Sequence, residues 1–257
     1  MLLAIDIGNS NIVMGVFDGE KLKMTWRIAT RMNREVDEFG VLTLAFLRQQ
    51  RLPVSRITGA VICSVVPPFT PVSQEMCRKY FHVSPLVVEA GVKTGIRLCV
   101  DNPRELGADR VVNAVAAHHF YGGPAIVIDF GTATTFDVVS KKGDYLGGAI
   151  APGIGIAAEA LVTRTAMLPR VDLLPPRQVI GTNTISAMHS GIFYGYAGLV
   201  EGVVNRIERE LGVKTRLIAT GGYAPLVAKG IPRIKVVNVD LSLEGLRLIY
   251  EMNSPED

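Results

Sequence analysis

Two short segments of the chain place an aspartate, a glycine and several small polar residues directly after an apolar run. They are Asp6-Ile7-Gly8-Asn9-Ser10-Asn11 and Asp129-Phe130-Gly131-Thr132-Ala133-Thr134. Glycine lets backbone N–H groups approach a ligand closely, and Asn, Ser and Thr add short side-chain donors, so each segment can wrap a phosphate group. One such turn alone would most simply be an ordinary hairpin. The pair predicts two half-domains that contact one nucleotide.

The carboxylates of these turns predict cation binding. Asp6 and Asp129 would lie beside bound phosphates, where a carboxylate holds a cation directly or through water. The alternative for either residue is a turn-capping role. A third glycine segment, Gly221-Gly222, follows an apolar run and precedes a predicted short helix. That position suits the nucleoside or the α-phosphate of the same nucleotide.

Asp109 is the candidate proton acceptor for a phosphoryl transfer. It belongs to Gly107-Ala108-Asp109-Arg110, near the predicted start of a helix, where we expect the helix dipole to keep the carboxylate ionised and weakly basic. Such a group can accept the proton of a hydroxyl that attacks phosphorus, since the loose transition state needs little proton removal beforehand. Arg110 offers a planar pair of donors for a carboxylate. The alternative is a charge feature of the helix start with a surface arginine.

The composition narrows the class of protein. Of the 257 residues, 48% are hydrophobic and 20% are charged, so the chain can bury a large core. The formal net charge of +3 comes from basic and acidic residues that are spread along the chain, so we expect no nucleic-acid binding. Cys63, Cys77 and Cys99 have no metal-ligand spacing and are expected to be reduced thiols. No signal-peptide pattern or apolar run of about 20 residues appears, which predicts a cytoplasmic protein without a membrane segment.

The hydrophobic pattern predicts an α/β protein. Residues 1–29 read as an antiparallel meander of three strands, which differs from the βαβ opening of dinucleotide-binding folds, and no G-x-G-x-x-G or P-loop motif is present. Residues 147–155 are predicted to be a glycine-rich approach to a helix over 156–167. Gly122-Gly123-Pro124 marks the expected boundary between half-domains at 1–121 and 122–257. Further strands are predicted at 57–66, 85–89, 125–129, 135–140, 214–220 and 236–239, and further helices at 34–50, 71–81, 111–119, 182–211, 224–229 and 243–253.

Four glycines interrupt the longest helical pattern at a spacing of three or four residues. They are Gly191, Gly195, Gly198 and Gly202. This spacing places them on one face of the helix, where another helix could approach closely. Either two copies of the chain associate through this face, or the face packs against another helix of the same subunit.

The motifs together resemble one enzyme family. The segments similar to those of type III pantothenate kinases run in order from residue 5 to about residue 224: DIGNSNIVMGVF, DNPRELGADRVVNAVAA, DFGTATTFDVV, GGAIAPGI, GTNTISAMHSG and TGGYA. The phosphate turns alone would indicate only the superfamily of acetate and sugar kinases, Hsp70 and actin, whereas GADR and GTNT point to this kinase family. The resemblance implies a duplicated actin-like (ribonuclease H-like) two-domain fold with mixed sheets flanked by helices.

The resemblance also implies the reaction and its residues. The reaction is ATP-dependent phosphorylation of the primary hydroxyl of pantothenate, the first step of coenzyme A synthesis. Asp109 would be the proton acceptor and Asp129 would hold a monovalent cation, K⁺ or NH₄⁺, with Mg²⁺ accompanying ATP in a homodimeric enzyme. The residues implied to bind ATP are Asp6, Ile7, Gly8, Asn9, Ser10, Asn11, Ile12, Val13 and Thr132. Those implied to bind pantothenate are Gly107, Ala108, Asp109, Arg110 and Thr184.

One position departs from the family pattern, and three other functions stay open. Some members have a substrate-contacting tyrosine seven residues before the GADR glycine, where this chain has Val100; the difference bears on the tightness of substrate binding.

A chaperone-type ATPase would need a peptide-binding extension that 257 residues do not provide. A non-enzymatic regulator would not need an acidic residue at position 109. Another sugar or acid kinase would share the turns and differ in its acceptor pocket.

Overall fold

The computed structural model describes residues 1–254, which form two compact units. Unit 1 comprises Met1–Gly95, Asn102–Ala116 and the described residues from Leu241 onward, and unit 2 comprises Ile96–Asp101 and Ala117–Asp240. This division differs from the expected boundary at 121/122, because the C-terminal helix packs with the first sheet and a short segment near residue 100 packs with the second.

Ten strands and seven helices form the regular structure of the described residues. The strands are β1 (Leu2–Ile7), β2 (Asn11–Asp18), β3 (Lys21–Ala29), β4 (Gly59–Ser64), β5 (Leu86–Val87), β6 (Ala125–Phe130), β7 (Ala133–Val139), β8 (Tyr145–Pro152), β9 (Arg216–Thr220) and β10 (Val236–Val237). The helices are α1 (Val36–Gln49), α2 (Thr70–Phe81), α3 (Ala108–Tyr121), α4 (Ile154–Thr163), α5 (Thr184–Leu211), α6 (Ala224–Val227) and α7 (Leu241–Asn253). None of these helices is long and apolar enough to cross a membrane.

Strand β1 is the central strand of the unit 1 sheet, whose order is β3-β2-β1-β4-β5. It pairs antiparallel with β2 and parallel with β4. Leu3, Ala4 and Ile5 of β1 point to alternate faces of the sheet and are all fully buried, as expected for a strand covered on both faces. The predicted opening meander is therefore confirmed, and the chain adds β4 and β5 in parallel after helical crossovers.

Strand β6 has the equivalent central place in unit 2, where the strand order is β10-β9-β6-β7-β8. It pairs antiparallel with β7 and parallel with β9. The two sheets thus share one topology, with a hairpin on one side of the central strand and parallel strands on the other. This duplication confirms the predicted α/β class with mixed sheets flanked by helices.

Strand β8 contradicts the prediction for residues 147–155. Tyr145–Pro152 pairs antiparallel with β7, and α4 then begins at Ile154. Glycine is depleted in strands, so the run of glycines hid the strand. Gly147 has a φ of +114° and lies at a shift of register between Val138 and Val139, a kind of irregularity that glycine tolerates.

Helix α7 closes unit 1. It contacts β1, β2 and β4, and its Leu241, Leu246 and Ile249 are fully buried. Gly245 faces α3, because a Cβ at this position would collide with the backbone carbonyl of Val112. The close approach of these two helices therefore requires glycine at 245.

We expect Gly245→Ala to lower the free energy of unfolding by about 1–3 kcal/mol, because an extra methyl in a packed interior forces neighbouring backbone apart. Urea unfolding at equilibrium measures this change. Met252→Ala is the control on the same helix, at a side chain that is 38% exposed, and should change stability by less than about 0.5 kcal/mol. Unchanged stability of Gly245→Ala would contradict the described packing of α7.

Candidate active site

The first phosphate turn connects β1 to β2 in unit 1. Asp6 pairs with Val13 and Ile7 with Ile12, which leaves the residues from Gly8 onward to form the turn. Ile7 and Ile12 are fully buried, so their side chains belong to the core rather than to a ligand surface. The strand register thus places the carboxylate of Asp6 at the edge of the sheet, directly before the turn.

Hydrogen bonds to neighbouring backbone hold this turn in place. The N–H of Gly8 donates to the carbonyl of Asn11 at 3.0 Å. Thr30, at the end of β3, donates its hydroxyl to the carbonyl of Gly8 at 2.7 Å and its N–H to the carbonyl of Ser10 at 3.0 Å. Asn9, Ser10 and Asn11 are exposed. The turn is therefore fixed from one side and presents its polar side chains to solvent.

Cys63 is a residue of this region that the motifs did not reveal. It lies in β4 opposite Asp6 and is fully buried. Burial raises the pKa of the Cys63 thiol well above its usual range, and the charges of Asp6 and Asp109 raise it further. Both carboxylates thus act on one buried thiol, so unit 1 brings the first turn and Asp109 into one neighbourhood. Sequence reasoning could find this only by pairing two apolar runs in parallel, which chain order does not specify.

Asp109 lies in the first turn of α3, near the helix start as the sequence predicted. Its carboxylate accepts a hydrogen bond from the N–H of Arg110 at 2.8 Å. A Cβ at Gly107 would lie 2.6 Å from a carboxylate oxygen of Asp109. Glycine at 107 therefore provides the space that this carboxylate occupies, and Ala108 begins the helix behind it.

The acidity of Asp109 differs from the expectation. Burial raises the pKa of Asp109 above its ordinary value, while the backbone hydrogen bond and the charge of Arg110 lower it by less. The expectation of a weakly basic carboxylate is therefore wrong, because desolvation of the charged form outweighs the helix start. A carboxylate with a raised pKa binds a proton more readily.

The second phosphate turn connects β6 to β7 in unit 2. Asp129 is held on both sides, since it pairs with Thr135 of β7 and with Thr220 of β9. The N–H of Gly131 donates to the carbonyl of Ala133 at 3.1 Å, and Thr132 is exposed at the tip of the turn. Each half of the chain therefore repeats one arrangement, in which a central strand has an aspartate as its last residue but one and leads into a tight glycine turn.

Two further glycine segments meet the second turn. The N–H of Gly153 donates to the carbonyl of Thr132 at 3.1 Å. Gly221 has a φ of +88°, and a Cβ there would collide with the carboxylate of Asp129. The N–H of Tyr223 donates to the carbonyl of Phe130 at 3.1 Å. Unit 2 thus brings Asp129, the Thr132 turn and the third glycine segment together.

Thr184 and Val100 lie elsewhere in unit 2. Thr184 is the exposed first residue of α5, whose N-terminus is capped by reciprocal hydrogen bonds between Asn183 and Ser186 at 2.9 and 3.2 Å. Its side chain forms no hydrogen bond with any residue of the described chain. Val100 lies beside β8, where a Cβ at Gly147 would be 3.9 Å from it.

The donor groups of the turns suit a metal that arrives with a nucleotide. Within residues 1–254, no group of three or more His, Cys, Asp or Glu side chains could hold a metal ion. Asp6 and Asp129 each offer one carboxylate beside a turn. Mg²⁺ is usually bound in this way, through one or two carboxylates, waters and the phosphates of the substrate.

The sequence matches the family model of type III pantothenate kinases over residues 2–206. Proteins named type III pantothenate kinase from Moorella thermoacetica and Dehalococcoides mccartyi are 52% and 50% identical to this chain, and the matches cover 99% and 98% of it and 100% and 98% of those proteins. This chain belongs to the type III pantothenate kinase family. The resemblance drawn from the motifs is confirmed.

Solved structures support the fold expected of the family. The activator of 2-hydroxyisocaproyl-CoA dehydratase from Clostridium difficile, solved with bound ADPNP, matches with a TM-score of 0.57 over 100% of this chain and 98% of that one. The two chains are 12% identical, so the match concerns the fold alone. The duplicated actin-like fold is confirmed. That both turns contact one nucleotide stays a prediction.

We expect Asp109→Asn to raise the thermal unfolding temperature at pH 7, because the substitution removes a charge that burial disfavours. The raised pKa means that the folded protein binds the proton of Asp109 more tightly than the unfolded chain does. The cost of ionisation is therefore absent below the ordinary value of 3.8, grows as pH rises and is complete above the raised pKa.

Thermal unfolding of both proteins between pH 7 and pH 4 measures this effect. The advantage of the Asn variant should shrink toward acid. Glu105→Gln, at an exposed carboxylate of the same segment, is the matched control and should show no such trend. An advantage that is absent at pH 7, or that grows toward acid, would contradict the burial of an ionised Asp109.

Proposed function

We propose that this protein transfers the γ-phosphoryl group of ATP to the primary hydroxyl of pantothenate, with Asp109 as the proton acceptor. Family membership supports the reaction. The observation that carries the assignment of Asp109 is its place in unit 1. A Cβ at Gly107 would lie 2.6 Å from the Asp109 carboxylate and 3.8 Å from Val65, whose N–H donates to the carbonyl of Ile7 at 3.0 Å, directly before the first turn. A partly buried carboxylate with a raised pKa beside a phosphate turn is suited to accept a proton.

The segment around Asp109 supplies the proposed contacts to pantothenate. The acceptor carries a carboxylate, for which the guanidinium of Arg110 offers two parallel donors. Gly107 and Ala108 provide backbone at the helix start, where N–H groups lack helical partners. Thr184 adds a hydroxyl from the N-terminus of α5. These residues would orient the hydroxyl toward Asp109.

The proposed reaction is a direct displacement at phosphorus. The hydroxyl oxygen of pantothenate forms a bond to the γ-phosphorus while its proton passes to the carboxylate of Asp109. The bond between the γ-phosphorus and the bridging oxygen breaks, and ADP leaves with the electron pair. Backbone and side chains of residues 6–13, together with Thr132, hold the phosphates, so that positioning and charge neutralisation supply most of the acceleration.

Cations complete the proposed site. A kinase uses ATP with a divalent metal, and Mg²⁺ neutralises phosphate charge when bound. We assign the monovalent cation, K⁺ or NH₄⁺, to Asp129, because its carboxylate lies against Gly221 and directly before the Thr132 turn. Oxygen donors from a carboxylate and backbone carbonyls suit hard cations, whereas softer metals favour thiolate and imidazole ligands.

We expect turnover in a coupled ADP-release assay to require pantothenate and to be stimulated by K⁺. Asp109→Asn should lower kcat by about 10²–10⁴-fold, the usual contribution of a general base, while ATP binding measured by calorimetry changes little. Glu105→Gln is the matched control and should retain activity. ATP hydrolysis that needs no acceptor, or full activity of Asp109→Asn, would contradict the proposal and favour an acceptor-free ATPase or a regulator.

We also propose that the enzyme is a homodimer formed through one face of α5. A Cβ at Gly191, Gly195 or Gly198 would meet no other atom within 4 Å. Packing inside the subunit therefore does not account for these three glycines. On the same helix Ile185 is 51% exposed and Tyr194 is 38% exposed. A glycine-lined face flanked by exposed apolar side chains is suited to close association with a second copy.

We expect Gly195→Leu to convert the dimer to a monomer, because a large side chain would prevent close approach along α5. Light scattering after size-exclusion chromatography would then give 27.8 kDa in place of twice that mass. Glu210→Leu, at an exposed position near the end of α5, is the control and should stay dimeric. A wild-type monomer, or a dimeric Gly195→Leu with native helix content, would contradict this interface.

A further inference from the structure

Unit 2 contains a cavity of about 620 Å³ at the edge of its sheet that is opposite the phosphate turn. Strands β6, β9 and β10 run parallel, and their starts meet at the cavity, which Pro124, Arg216 and Val236 line. The second turn and Gly221 follow the other ends of β6 and β9. Because each residue of a strand advances about 3.3 Å, the two places are about 15 Å apart. One small ligand therefore does not fill both.

The cavity has an excess of positive charge. Arg216, Arg233 and Lys235 line it. The nearest carboxylate is that of Glu208, which is 4% exposed and accepts hydrogen bonds from Arg233 at 2.6 Å and from Lys214 at 2.8 Å. Four cationic side chains thus line the cavity or bind Glu208. The single carboxylate that faces them already accepts hydrogen bonds from two of these cations.

Two of these cations are available to a ligand. Arg216 uses one guanidinium nitrogen to donate to the carbonyl of Tyr121 at 2.7 Å, which fixes the side chain and leaves its other donors. Lys235 is exposed and forms no hydrogen bond or ion pair with any residue in the described part of the chain. A planar guanidinium held in place beside a mobile ammonium is a combination that binds phosphate oxygens.

The size of the cavity indicates more than a lone inorganic ion. Pockets for small organic ligands measure about 300–1,000 Å³, and this cavity falls within that range. Tyr121, Leu217 and Val236 give it apolar wall as well as charge. We propose that it is a second ligand site, distinct from the phosphate turns, for a small phosphate-bearing metabolite whose phosphate binds Arg216 and Lys235 and whose body lies against the apolar wall.

Titration of the full-length protein with inorganic pyrophosphate, followed by ¹H–¹⁵N correlation spectra, tests this site. The amides of Gly122 and Gly123 line the cavity and report on it separately from Gly8 and Gly131 of the phosphate turns. We expect saturable shifts at Gly122 and Gly123. Lys235→Glu should weaken binding there by about tenfold or more, since charge-assisted contacts are lost, and should leave shifts at the phosphate turns unchanged.

Lys21→Glu makes the same charge change at an exposed position of unit 1 and is the matched control, which should bind like the wild type. The ¹H–¹⁵N spectra of both variants without pyrophosphate should match that of the wild type away from the substituted residue, which shows that the variants are folded. Shifts confined to the phosphate turns, or equal affinity of Lys235→Glu and wild type at Gly122 and Gly123, would overturn the proposal. Because the amide shifts report on the cavity itself, this test of the second ligand site does not depend on whether the proposed kinase reaction is correct.

Discussion

The last residue but one of each central strand is an aspartate, and the candidate chemistry depends on where the strand pairing holds it. Asp6 and Asp129 follow fully buried residues, Ile5 and Ile128, and each is paired on both sides, with a hairpin partner and with a parallel strand. A slip of one residue would bring the aspartate to a neighbouring position that is fully buried, and burial of an unpaired carboxylate is costly, so burial of the strand fixes the register. The free energy of the core thus determines where each carboxylate stands.

Glycine determines how close other backbone can come to these carboxylates. Gly221, in the left-handed region, lies against Asp129, and Gly107 lies against Asp109. In each unit a site carboxylate occupies the volume that a Cβ would otherwise take. The requirement for glycine is therefore geometric, since a side chain at either position would displace the carboxylate that the proposed chemistry needs. This explains why glycine at 107 and at 221 matters to the site although glycine itself carries no reactive group.

Local patterns in the sequence predicted most of the elements and the fold class, and the errors share one physical cause. Strand β8 was hidden because its pairing with β7 overrides the low strand propensity of its glycines. The predicted shift of the Asp109 pKa was wrong in direction, because the prediction considered the helix dipole, which is local. Burial, which raises the pKa, depends on tertiary packing. Cys63 was missed because the parallel partner of β1 is distant in the chain. Helix α7 packs in unit 1, where Gly245 lies against α3. No sequence motif marks this contact. Each error concerns a non-local contact.

The carboxylates of Glu208 and Asp109 are both shielded from water, but their pKa values are shifted in opposite directions. Burial alone would raise the pKa of Glu208, but hydrogen bonds from Arg233, Lys214 and Thr215 outweigh it and lower the pKa to about 2. Asp109 receives hydrogen bonds from two backbone N–H groups, that of Arg110 and its own, and burial prevails. Glu208 therefore stabilises the fold from its ordinary pKa upward and has no capacity for a proton. Asp109 has fewer hydrogen-bond donors around its carboxylate, which costs stability. The same shortage of donors leaves its pKa raised, so that the carboxylate can accept a proton.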